Sequence, residues 1–242
     1  MSEVWSIAAK GEIFRQRLRE HRTEQLGRRL DILVAGLGGH GQSLSERAED
    51  RVSGVDEDHP PLRERIAADE NLAHWALGDL RSVPIPPRSF DIVHAAFLLE
   101  RIHHTELVLD RILNGLRPGG LIFVRMRDRD SAYGFCARVA PFWLRRLLWP
   151  RFAPKGAVGP LPAVYEPITA REGMRTYCLT RGLLVTDELT AVGGPALHGR
   201  RAGTARAMCL LAHKLSRGRL SLEHDEIVMV IRKPQDHFAR LI

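Results

Sequence analysis

Gly36, Gly38 and Gly41 stand in the run "AGLGGHG" at the spacing GxGxxG, and Asp56 follows about 20 residues beyond Gly36. Glycines let a backbone turn sharply after a strand and bring its N–H groups close to a ligand. The start of a following helix favours anionic groups, and an acid ending the next strand can accept hydrogen bonds from ribose hydroxyls. The chemistry these residues suggest is recognition of a nucleoside or dinucleotide. Taken alone, the run is a weak signal and also fits a turn needed only for chain reversal. A second cluster, Glu100, His103 and His104, offers a carboxylate and two imidazoles. The histidines read either as candidates for a general base or as exposed residues opening a helix. Glu100 and His103 lack a third and fourth ligand at recognisable spacing, so no metal is expected.

The elements that must position these residues follow from apolar periodicity. Residues 3 to 29 read as a helix, with apolar positions separated by charged ones. "LDILVAGLG" is a short apolar run ending in glycines, as a buried parallel strand does. "GQSLSERAED" reads as helical, "RVSGVD" as a second strand and "LRERIAADENLAHWAL" as another helix. The proline-rich "RSVPIPPRS" forces a loop before the apolar strand "FDIVHAAFLL". In "TELVLDRILNGLRPGG", Val108, Leu109, Ile112, Leu113 and Leu116 share one helical face, and RPGG supplies the stop. "LIFVRM" is the next strand. Farther on, "TAREGMRTYCLTRG" reads as helix, "LLVTDELTAV" and "EIVMVIRKP" as strands, and residues 202 to 215 as a small helix. Strand and helix alternate, which argues for an open α/β sheet with parallel strands and right-handed crossovers. An antiparallel C-terminal hairpin is allowed by the pattern and not required by it.

Several pieces occur together in "LGDLRSVPIPPRSFDIVHAAFLLERIHHTELVLDRILNGLRPGGLIFV". They are Gly78-Asp79, Ser89-Phe90-Asp91-Ile92-Val93, Leu99-Glu100-Arg101-Ile102 and Leu116-Arg117-Pro118-Gly119-Gly120. In this order and spacing they resemble the class I S-adenosylmethionine (SAM)-dependent methyltransferases of the small-molecule type, over roughly residues 30 to 126. The resemblance implies an α/β, Rossmann-like doubly wound sheet, mostly parallel with an antiparallel C-terminal strand. It implies a single domain, with a helical cap at 1–29, the SAM-binding core at 30–126, an inserted lid or substrate segment at 127–166 and the rest of the sheet at 167–242.

Carried over by residue, the resemblance puts Gly36, Leu37 and Gly38 under the methionine part of SAM, with Gly39 and His40 at the turn. Asp56 would accept from the ribose, with Glu57 beside the adenosine. Asp79 would meet the adenine amino group and Leu80 would offer a backbone N–H. His94 and Ala95 would border the sulfonium. The chain departs from the family twice. Val34 stands where an acid usually helps hold the SAM amino group, and Arg101 stands where histidine is common, a change that reads as minor. In the segment after the fifth strand, Tyr133, Phe135, Phe142 and Trp143 are expected to line a lid over the substrate, with Tyr165 as a further candidate. Sheet packing and a basic amphipathic helix on a membrane are the other readings of that segment.

The expected activity is methyl transfer to a small molecule, in a biosynthetic setting. The alternatives are a non-catalytic relative with a degenerate SAM site and an NAD(P)-dependent oxidoreductase. The latter would explain GxGxxG and Asp56 but not the GD pair or the RPGG turn. The chain has 242 residues, a formal charge of +7 and three cysteines that form no CxxC pair, so a reducing cytoplasm is expected. Its first residues are too charged for a secretory signal and no run reaches the length of a membrane span. Arginine reads as dispersed along the chain, which argues against a dedicated nucleic-acid face, as does the lack of an Asn/Asp-Pro-Pro-aromatic motif. Nothing in the sequence sets an oligomeric state.

Overall fold

The computed structural model describes residues 7–38, 50–67, 69, 71–152, 162–193, 197 and 202–235. Its centre is a seven-stranded sheet. The strands are β1 (Asp31–Ala35), β2 (Arg51–Asp56), β3 (His74–Leu77), β4 (Phe90–Ala96), β5 (Leu116–Arg127), β6 (Leu184–Ala191) and β7 (Glu226–Arg232). Their order is β3-β2-β1-β4-β5-β7-β6. β1 to β5 pair in parallel, and β7 runs antiparallel to both β5 and β6. The antiparallel strand that the pattern allowed is therefore present.

Successive side chains on a strand point to opposite faces, and the core divides accordingly. Ile32, Ile92, Phe123, Val228 and Val230 meet Phe14 and Leu18 of α1 (Ile7–Glu24) on one face. Leu33, Val93, Ala95, Ile122 and Met229 face the other way. There they pack on Val108, Leu109, Ile112 and Leu113 of α3 (Thr105–Gly115) and on Met174 and Tyr177 of α6 (Arg171–Thr180). β4 is buried along its whole length, which explains why it reads as an unbroken apolar run. The RPGG stop has a steric cause. A Cβ on Gly120 would lie 2.7 Å from the Asp91 carbonyl oxygen, so only glycine lets β5 draw alongside β4 there.

Two elements differ from expectation. Leu116, read on the helical face, opens β5, so the RPGG run lies within the strand and α3 ends at Gly115. The helix expected from Leu62 to Leu77 is only α2 (Pro60–Ala67), and His74–Leu77 is the edge strand β3. Leu62 and Ile66 give α2 its buried side. β3 lies at the sheet edge with its four residues exposed or half-buried, so it lacks the apolar run that marks inner strands. Its pairing begins where the Ala73 N–H donates to the Val52 carbonyl. The helical reading of "GQSLSERAED" falls, apart from Asp50, outside the described residues. After β5 come α4 (Ala132–Val139) and α5 (Phe142–Phe152), and α7 (Ala202–Leu215) packs on α4 before β7.

Candidate functional site

β1, β2 and β4 end at the same edge of the sheet, and the turn after β1 crosses it. Gly36 has φ +105°, and a Cβ there would sit 2.5 Å from the Ala96 carbonyl oxygen. Glycine is required because the chain must pass over the end of β4 in a left-handed conformation. Val34, two residues earlier, faces α1 and pairs in register with His94. An apolar residue suits that setting, and it leaves no carboxylate there.

Asp56 ends β2 as expected and is fully buried. Its Oδ2 accepts from the Gly38 N–H at 2.7 Å and its Oδ1 from the Glu57 N–H at 2.7 Å. Arg101 Nη2 donates to both oxygens, at 2.9 and 3.0 Å. A carboxylate has about four lone-pair positions, and these four contacts fill them. Arg101 is itself only 2% exposed; its Nε donates to the Phe97 carbonyl, and its Nη1 has no partner. The substitution of arginine for histidine is thus the largest departure in the site rather than a minor one. A lone arginine beside a Leu-Glu pair gives no sequence signal that it will reach a strand end 45 residues away.

The glycine turn and the acid fit the sugar of SAM in type and position. Asp56 has no acceptor left for ribose hydroxyls while Arg101 holds it. Asp79 lies in the loop after β3 and is bound by its neighbour Arg81 through side chain and backbone, which pulls its carboxyl down to about 2. Glu57 is half-buried, its carboxyl raised by burial, with Oε2 3.8 Å from His59 Nε2. Leu37 folds over β2, where a Cβ on Gly54 would meet its methyl groups at 2.7 Å. Leu80 is in the core. Gly39 and His40 lie outside the described residues.

His94 and Ala95 do not stand together at a pocket edge. Ala95 faces α3 and α6. His94 points to the α1 side, edge-on to Phe14 at 5.6 Å between ring centroids, with both ring nitrogens buried and unpartnered. Burial drives its pKa down to about 3, so the ring is neutral. Alternation along β4 explains the placement, because Ile92 also faces α1 while Val93 and Ala95 face the other way.

On the far side of the turn following β4 lies a second group of polar residues. Phe97 has φ +51°, a left-handed conformation uncommon outside glycine, and its ring is flanked by Arg125 at 4.9 Å and Arg127 at 4.6 Å. Glu100 is buried beside Arg127 and Tyr165, with Oε2 unpartnered. Burial raises its carboxyl to about 7 against the pull of Arg127 and Arg101. The Tyr165 N–H donates to the Glu100 carbonyl at 3.0 Å, and the Tyr165 carbonyl accepts from Arg129. Tyr133 lies against Arg127, with the guanidinium 5.8 Å from the ring centroid.

Tyr133 and Tyr165 therefore come together at this spot. Phe135 packs in a small cluster of α4 with α7, against which Tyr133 also packs, and Phe142 and Trp143 are exposed. His103 and His104 are also exposed. His104 caps α3 in a left-handed conformation, and its N–H and that of Thr105 donate to Glu166. In the sequence Glu100 stands in the Leu99-Glu100 piece of the family resemblance, and the one chemical role considered for it there is metal ligation. No group of three or more histidine, cysteine or acidic residues that could hold a metal occurs among the described residues.

Residues 33–124 match the family described as "Methyltransferase domain". Methyltransferase str3 of Strobilurus tenacellus is 33% identical over 113 residues, which are 46% of this chain and 39% of that protein. The chain thus spans well under half the length of that curated relative. A solved SAM-dependent methyltransferase from Mesorhizobium loti superimposes with TM-score 0.50 at 18% identity, covering 85% of this chain and 91% of its own. The 1,6-didemethyltoxoflavin-N1-methyltransferase of Burkholderia thailandensis, solved with bound 1,6-didemethyltoxoflavin and S-adenosylhomocysteine, gives TM-score 0.51 at 16% identity over 96% and 81%. The [4+2]-cyclase SpnF gives 0.51 at 15% identity over 96% and 83%. At these identities the solved structures establish the fold. They include both methyl transfer and cyclisation, so the fold does not settle the reaction.

Proposed function

We propose that this chain, which carries a class I SAM-dependent methyltransferase domain, transfers a methyl group to a small-molecule acceptor. The observation that carries this reading is Asp56, a buried carboxylate at the end of β2 that is hydrogen-bonded to the glycine turn. In the proposal Asp56 holds the ribose, and it does so after exchanging Arg101 for the hydroxyls. The turn through Gly36 to Gly38 cradles the rest of the nucleoside edge. Bound there, SAM would supply a methyl carbon already activated by its sulfonium.

Methyl transfer is an in-line displacement, so much of its rate can come from holding the acceptor close and aligned. Tyr133 and Tyr165 are proposed to position the acceptor, and Glu100 to take its proton if the acceptor is a hydroxyl or amine. A carboxyl held near neutrality is suited to that exchange. The toxoflavin enzyme among the structural neighbours is in keeping with a biosynthetic setting.

Titration calorimetry with SAM, S-adenosylhomocysteine and NADH tests the proposal. Micromolar binding of S-adenosylhomocysteine without NADH binding supports it, and binding of NADH alone overturns it. A second reading, a non-catalytic relative, is favoured by two observations, Val34 and the filled acceptor positions of Asp56. It requires that none of the three ligands binds.

A further inference from the structure

The formal charge of the chain is unevenly placed. Residues 131–165 contain five arginines or lysines and no acid, and residues 189–222 contain six and no acid. Of the 36 cationic and 29 acidic residues, 25 and 29 remain elsewhere, so the rest of the chain is net acidic by four. The dispersal expected from linear order is thus replaced by segregation. The structure packs α7 on α4 through Cys209 and Ala212, which brings together the described parts of the two stretches.

The outer sides of these helices have the wrong polarity for water. On α7, Met208, Leu211 and Leu215 are 56%, 59% and 77% exposed, at the spacing of one helical stripe. On α5, which begins just after α4, Phe142, Trp143 and Leu147 are 54%, 66% and 59% exposed. A surface helix ordinarily turns polar residues outward and apolar ones inward. Arg146, Arg206, Lys214, Arg217 and Arg219 are exposed on or beside these helices, and none makes an ion pair among the described residues. Arginines elsewhere contrast with this. Arg17, Arg28, Arg117, Arg171 and Arg181 all meet carboxylates.

We infer that the exposed apolar side of α7, with the exposed residues of α5 as a further contact, docks on an anionic lipid surface. Apolar side chains with a tryptophan, bordered by unpaired cations, match the boundary between headgroups and acyl chains. Each cation near such a surface adds to the attraction. A second copy of the chain is a poor occupant, because a two-fold contact would set unpaired cations against their own kind. Nucleic acid is a poor one because aliphatic residues offer its backbone nothing. No helix among the described residues is long and apolar enough to cross a membrane, so the contact would be peripheral. The inference does not depend on methyl transfer, since docking needs no cofactor.

The test is flotation of the full chain with vesicles of phosphatidylcholine alone, or with about 30% phosphatidylglycerol added. The expected result is flotation with the anionic vesicles only, weakened at high salt by screening. The double variant Leu211→Glu/Leu215→Glu should bind at least tenfold more weakly with an unchanged thermal midpoint. Both positions are exposed, so folding is preserved, and Trp143→Glu provides a second, independent reading. Failure of the parent to float with anionic vesicles would overturn the inference. Equal flotation of parent and variants would do so too, as would a dimer that Leu211→Glu/Leu215→Glu converts to monomer. Retention on a polyanion such as heparin without vesicle binding would count against it in the same way.

Discussion

Glu100 and Arg101 are neighbours in the chain and belong to opposite sides of the site. Arg101 turns toward β2 and completes the hydrogen bonding of Asp56. Glu100 turns toward Arg127 and Tyr165, and one of its oxygens has no partner. Nucleoside recognition is expected on the first side and acceptor chemistry on the second. On the side with the familiar motif the Asp56 carboxylate is filled while Arg101 Nη1 is left without a partner, and the side without a motif holds an unmet acceptor. A buried polar atom without a partner costs free energy that a folded chain seldom leaves uncompensated. A motif therefore marks where a ligand type can sit, and unsatisfied groups mark where something is still to be supplied.

Asp56→Ala should have the largest effect. It leaves the Arg101 cation buried without its carboxylate, a change that costs roughly 3–5 kcal/mol in comparable pairs. Urea denaturation should show that loss, and calorimetry should show no binding of S-adenosylhomocysteine. Unchanged affinity would remove Asp56 from the nucleoside side. Glu100→Gln should leave S-adenosylhomocysteine affinity alone and lower turnover by about 10²-fold or more, the scale of a lost general base. In the parent, turnover should rise as pH passes about 7, and the variant should lose that limb. Stability gives a second readout. Between about 4.5 and about 7 the folded state keeps the Glu100 proton that the unfolded state has released. Glu100 therefore contributes a fall in stability of on the order of 3 kcal/mol as pH rises through that window, read as the difference between parent and glutamine variant, because His94 contributes in the opposite sense below about 6.5 in both. A variant with unchanged pH dependence in both would reduce Glu100 to a packing residue.

His94 is a control on the rule that unpartnered groups mark sites, because both of its nitrogens are orphaned within an apolar core. Its pKa is pushed down to about 3, so an unfolded chain binds a proton that the folded one refuses from about 6.5 down to about 3. Stability should be lost as pH falls through that range. His94→Leu should gain about 1–3 kcal/mol at neutral pH by removing the unmet polar atoms, and more in acid. S-adenosylhomocysteine affinity should not move. Weaker binding by that variant would restore His94 to the sulfonium position that the family resemblance implied.

The sheet was legible because its signals are local. β2 begins and ends at the residues read from "RVSGVD", and α7 spans the expected 202–215. β3 was missed because an edge strand with no fully buried residue carries no apolar run. The glycine turn and Asp56 were legible as a motif, while the pair that fills Asp56 was not, because Arg101 is placed by the turn at Phe97 through its carbonyl. Glu100 was legible as a residue type but not as a raised carboxyl, since burial comes from Tyr165 and Arg127, far along the chain. Charge followed the same pattern. Arginines that look dispersed in sequence are concentrated once α4 and α7 meet.

Arg101→Leu probes the comparison most finely. The substitution leaves Asp56 with the Gly38 and Glu57 N–H groups, so two acceptor positions open while the carboxylate stays anchored. Ribose hydroxyls would then bind without displacing a buried ion pair. Calorimetry should show S-adenosylhomocysteine bound about tenfold more tightly, equivalent to about 1.4 kcal/mol. Folding without ligand should weaken at the same time, since a carboxylate in the interior loses its countercharge. Tighter binding paired with lower apo stability is the mark of a cation that competes with the ligand for one acid. Weaker binding would make Arg101 part of the cradle itself, and the two sides of the turn would then form one polar site.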